Sequence, residues 1–88
     1  EHRQPDCLIP LRGPRAVSHL FLNPEGSVLV AVRGDEVAAF ALDDPQHPRI
    51  FETFGGTVTQ AAQSLDRHSV ALATENNLVW LLNFRDPL

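Results

Sequence analysis

The chain has 88 residues, 43% of them hydrophobic, and a formal net charge of −4 from seven Arg, no Lys and eleven acids. That balance argues against disorder, and the spread of acids leaves no basic stripe for nucleic acid or for an anionic membrane surface. The longest strongly apolar run, residues 78–82, is too short to cross a bilayer, and residues 1–5 lack the apolar core of a signal peptide. Cys7 is the single cysteine, so an internal disulfide and a CxxC metal or redox pair are excluded. A chain without a disulfide framework fits a reducing compartment, and the cytoplasm is the expected location. The first residue is Glu1, and a processed chain or an excerpt from a longer one is expected.

Taken in order, the first apolar stretch is residues 17–22. Asn23-Pro24-Glu25-Gly26 closes it as a turn, because Pro presets φ at the second position and Gly suits the fourth. Residues 28–32 form the next strand, Arg33-Gly34-Asp35-Glu36 punctuates, and residues 37–42 follow. Residues 43–48 are a loop, since two prolines and two acids cannot continue a ladder. Residues 49–54 read as a further strand closed by Gly55-Gly56. Three more strands are expected over 58–63, 69–74 and 78–83, with Asn76-Asn77 at a hairpin where Asn tolerates positive φ. The run 78–82 does not alternate, which points to a strand covered on both faces, with Trp80 in the core. A βαβ arrangement competes, because residues 37–42 are Ala-rich and Asp35 could cap a helix. About eight residues are too few for a parallel crossover, which needs at least about 10–12.

The chain also matches itself. Residues 17–22 lie over 58–63 at an offset of 41 (58 − 17 = 41), and the same offset places 29–32 over 70–73 and Val37 over Leu78 without a gap. A period near 40 describes repeated units that cannot bury their apolar faces alone.

Val17, Leu20, Leu22-Asn23-Pro24-Glu25-Gly26, Leu29-Val30-Ala31, Gly34-Asp35, Val37 and Phe40 together resemble a blade of the WD-repeat β-propellers. The Gly-His pair expected before the first strand is missing. The Asp after the third-strand aromatic is replaced by Ala41 and Leu82. Asp44-Pro45-Gln46-His47-Pro48, with Asp86-Pro87 in the second copy, is similar to the LVIVD class of propeller repeats. The resemblance implies an all-β fold of two consecutive four-stranded blades. Residues 1–16 would hold the outer strand of a preceding blade, at 7–11, and a loop. Residues 17–56 would be the first blade, and 57–88 a second blade without its own fourth strand. Two blades cannot close a ring of four to eight, so the expected partners are the remaining blades of its own propeller, other protein chains or further copies of itself.

The chemistry-bearing residues are sparse. Arg33-Gly34-Asp35 spells an integrin-binding tripeptide, but Gly-Asp also suits a hairpin tip, and the turn reading carries more weight. That tripeptide is the one feature pointing to an extracellular role. His2, His19, His47 and His68 lack metal-ligand spacing. Ser18-His19 is read as no catalytic pair, because adjacent strand residues point to opposite faces. Neither a cofactor nor a catalytic residue is expected. The expected function is a non-catalytic protein–protein interaction scaffold, or a subunit of a larger assembly, using one rim of the propeller. On that rim the resemblance places Arg15, Arg33, Asp35, Glu36, Glu75, Asn76 and Asn77. The competing readings are a lactonase- or hydrolase-like enzyme with His19 and Gln60 in the channel, and an oligomeric two-blade lectin.

Overall fold

The computed structural model describes residues 9, 11 and 15–85. Among these there is no helix, and two antiparallel sheets account for all regular structure. The first sheet has four strands in sequential order: β1 (His19–Leu22), β2 (Val28–Arg33), β3 (Glu36–Ala41) and β4 (Ile50–Thr53). The second has three: β5 (Val58–Gln63), β6 (Ser69–Thr74) and β7 (Val79–Asn83). The Ala-rich segment at β3 is strand, not helix. Val37 and Phe40 on its two faces are buried, and that burial outweighs the weak helix preference of its alanines. The strand expected at residues 7–11 falls largely outside the described residues, and Ile9 and Leu11 are not in strand.

Register explains the core. Val30 pairs with Phe21 and Ala39, and Val32 with His19 and Val37, so all six lie on one face of the first sheet. In the second sheet Leu72 pairs with Ala61 and Trp80, and Val70 with Gln63 and Leu82. These two faces form one cluster in which Val28, Val30, Val32, Ala39, Leu72 and Phe84 are completely buried.

The sheets repeat in detail. Ser18 Oγ donates to the Val32 carbonyl at 3.2 Å, and Thr59 Oγ1 to the Ala73 carbonyl at 3.3 Å. Gly26 N–H donates to the Asn23 carbonyl, as Arg67 N–H does to that of Ser64. Leu42 N–H reaches the Ser27 carbonyl at 2.8 Å, and Phe84 N–H reaches that of His68 at 2.8 Å.

The third strand corrects the uniform offset. Val32 pairs with Val37, whereas Ala73 pairs with Val79, so Val37 corresponds to Val79 at an offset of 42 (79 − 37 = 42). Gly34 and Asp35 suffice to turn β2 into β3, with positive φ at Gly34 alone. The β6–β7 turn holds one residue more. Its Asn77 N–H bonds to the Thr74 carbonyl, Thr74 N–H bonds to the Leu78 carbonyl, and Asn77 sits at φ 65°.

Arg67 occupies the place of Gly26 and adopts φ 63° against 71° for the glycine. A left-handed conformation disfavours a side chain that carries Cβ. Arg67→Gly is expected to stabilise the chain by about 0.5–1 kcal/mol, the strain relieved exceeding the added unfolded-state entropy. Equilibrium urea unfolding measures this, and a loss of stability would contradict the reading.

β7 departs from expectation. Val79 and Leu81 are 71% and 81% exposed, because nothing covers the outer face of the second sheet among the described residues, and Leu78 in the turn before β7 is exposed as well. Trp80 is 40% exposed, its ring centroid 4.9 Å from that of Phe54. Its truncation to Ala should therefore cost about 1–2 kcal/mol, short of the roughly 3–5 kcal/mol of a buried Trp. Thermal melts of the variant check this.

Candidate functional site

The rim named from sequence is built by backbone. Asp35 O accepts from Phe54 N at 2.8 Å, Gly34 O from Val58 N at 2.9 Å, and Thr57 O from Glu75 N at 2.9 Å. These bonds draw the β2–β3 turn, the segment 54–58 and the β6–β7 turn to one end of the two sheets. Arg15 joins them through Nη1, 3.1 Å from Asp35 Oδ1. Its side chain crosses Gly34, where a Cβ would meet the Arg15 guanidinium. Gly34 is favoured here by its positive φ of 58°.

Asn76 is placed in a similar way. Thr74 Oγ1 donates to its Oδ1, and a Cβ on Gly56 would meet that same oxygen at 2.8 Å. Glu75 Oε1 accepts from Thr57 N at 3.4 Å. Arg15, Glu75, Asn76 and Asn77 are exposed, and Asp35 is half-buried. Arg33 and Glu36 differ from these. They pair at 3.3 Å and line a cleft on the outer face of the first sheet, the Arg33 side chain only 13% exposed. The integrin-like tripeptide is therefore engaged within the chain, with Arg33 paired to Glu36, Gly34 under Arg15, and Asp35 paired to Arg15.

Ser18 and His19 require a correction. Ser18 Oγ lies 2.9 Å from His19 Nδ1. Ser18 precedes the first residue of β1, so strand alternation does not separate the two side chains. Among the described residues no carboxylate bonds to the imidazole, whose ring stacks on Phe21 at 6.5 Å. His19 and Gln60 do share one hollow, of about 470 Å³, with Ala61, Ala62, Ala71, Leu72, Ala73 and Val79. That lining contains no acid to partner or orient the His19 imidazole.

The opposite end carries an ion-pair cluster that sequence reasoning missed. His68 Nε2 lies 3.2 Å from each carboxylate oxygen of Glu25. Among the described residues His68 Nδ1 is buried without a hydrogen-bond partner, 3.8 Å from Asp66 Oδ2. Asp66 Oδ2 in turn accepts from Arg85 Nη2 at 3.0 Å. The Ser64 hydroxyl and the His68 N–H, followed by the charges of Arg85 and His68, hold the Asp66 carboxyl below its ordinary value. Its contribution to stability is present above the ordinary aspartate range and fades as pH falls through the lowered value. Glu25 and His68 are 43 residues apart, and no local spacing announces the pair. Among the described residues no three His, Cys, Asp or Glu side chains converge to hold a metal. No family model, curated protein or solved structure matches the chain.

Proposed function

We propose that the chain supplies two blades of a β-propeller and acts as a non-catalytic protein–protein interaction scaffold, offering its hairpin rim to other polypeptides in the cytoplasm. The observation that carries this reading is the rim itself. Its three backbone bonds fix the turns of both sheets, so Arg15, Glu75, Asn76 and Asn77 project from a rigid frame. Cation, acid and amides side by side suit a polar protein interface. The net charge of −4 disfavours nucleic acid and anionic lipid as partners.

The blade assignment is supported by the repeated register and the repeated turn bonds of the two sheets. An enzyme with its site in the channel would need acids beside His19 and Gln60, and the described lining has no carboxylate there. A lectin would need an aromatic platform, and the ring of Trp80 lies against Phe54.

Site-specific photocrosslinking in the cell tests the reading. A photoreactive residue at Glu75 or Asn77 should capture another polypeptide, and one at His47, at the opposite end, should not. Equal capture from the two ends, or none from the rim, would contradict it.

A further inference from the structure

Each sheet has an outer face that the described residues leave at least partly open, and the repeat indicates what belongs there. On the first sheet, Leu20 pairs with Ala31, and Leu29 with Leu22 and Phe40. This face is mainly apolar and partly bare: Leu20, Leu22 and Phe51 are 61%, 39% and 55% exposed, while Ala31, Ala38 and Phe40 beside the Arg33–Glu36 pair are buried. The cleft of about 240 Å³ that Arg33 and Glu36 line lies on this face, with Leu11, Pro45 and Pro48 along it. On the second sheet, Ala71 pairs with Ala62 and Leu81, and Ala73 with Val79 and Gln60. This face is low and small-residued, with the exposed Val79 and Leu81 along one side.

The register equates each open face with a buried one. Val79 and Leu81 hold the places of Val37 and Ala39, which are 2% and 0% exposed in the shared core. Ala71 and Ala73 hold the places of Val30 and Val32, both fully buried. In the other direction, Leu29 and Ala31 stand where Val70 and Leu72 pack into that core, and Leu20 stands where Ala61 packs against it. The open face of the second sheet thus repeats the inward face of the first. The open face of the first repeats the inward face of the second.

We infer that the outer face of the first sheet is a docking site for the outer face of the second sheet of another copy of this chain. The contact continues the stacking already present between the two sheets. It is heterologous, so every interface uses one face of each kind, and successive copies close into a ring or extend. Bulky Leu20, Leu22 and Phe51 would sit over the alanine floor, as shape complementarity requires. The inference rests on the blade reading of the two sheets and adds to it the partner and the faces.

Two substitutions test it, each at an exposed position and so compatible with folding. Leu20→Glu closes one face and Leu81→Glu the other. Native mass spectrometry under reducing conditions, which keep Cys7 from forming a disulfide, reads the outcome. The parent should assemble, each variant alone should be monomeric, and an equimolar mixture should form a dimer of about twice the monomer mass and nothing larger. The mixture retains one intact face of each kind. A monomeric parent, assembly of either variant alone, or a mixture that stays monomeric would overturn the inference. If a variant fails to fold by circular dichroism, Phe51→Glu and Val79→Glu replace it on the same two faces. Assembly that survives Leu81→Glu alone would indicate like faces meeting, which overturns the docking while leaving rim capture from Glu75 unaffected.

Discussion

Replacing Phe84 by Ala is expected to remove about 3–5 kcal/mol of stability, the range for a fully buried aromatic. Phe84 is the largest side chain with no exposed surface, and it belongs to the cluster that joins the two sheets. Its backbone N–H also fastens the end of β7 to the β5–β6 loop at His68. A domain of this size is stable by only about 4–13 kcal/mol, so the variant should be substantially unfolded near 37 °C. Phe84→Leu, which refills most of the volume and matches Leu42 at the equivalent place, should cost far less, about 1 kcal/mol. Equilibrium denaturation with guanidinium separates the two variants. A loss below about 1 kcal/mol for the Ala variant would show that the sheets do not share this core.

Asn23→Ala is expected to cost about 2–3 kcal/mol, although Asn23 sits in a turn. Its side chain is 2% exposed. Oδ1 accepts from Ser27 N at 2.8 Å and Val28 N at 2.9 Å, while Nδ2 donates to Glu25 Oε1 at 2.9 Å and Ser27 Oγ at 3.0 Å. Removing the amide leaves the buried Val28 N–H without its side-chain acceptor. The second sheet provides the control. Ser64, at the place of Asn23, accepts only from Ser69 N and donates to Asp66 at the exposed surface. Ser64→Ala should therefore cost about 1 kcal/mol or less. Urea melts of the two variants check the ordering, and equal losses would contradict this account of the turn.

The strands were legible because alternation and turn chemistry agree in this chain. Asn23-Pro24-Glu25-Gly26 folds as its residue types require, and Asn77 takes the positive φ expected of an Asn at a hairpin. Four features were not legible, each for a physical reason. The extra residue of the β6–β7 turn lies where Leu78 and Val79 are both apolar, so offsets of 41 and 42 match equally well by hydropathy. Only hydrogen-bond register separates them. Trp80 and its neighbours read as covered because an apolar run records what a strand needs, not whether this chain alone supplies it. The family resemblance places Arg33 and Glu36 on the rim, whereas the strand direction turns their side chains onto the sheet face. The Glu25–His68 contact joins two turns through tertiary packing, and nothing local in either turn encodes it.

On the proposed reading these two sheets are stacked repeats with open apolar faces, and not a self-contained domain. Sedimentation velocity of the unaltered chain at micromolar concentration, paired with thermal melts across a dilution series, tests it most directly. The account predicts species heavier than one 9.7 kDa chain and a melting midpoint that rises with concentration, since association stabilises the folded state by mass action. A single 9.7 kDa species with a cooperative melt independent of concentration would contradict it.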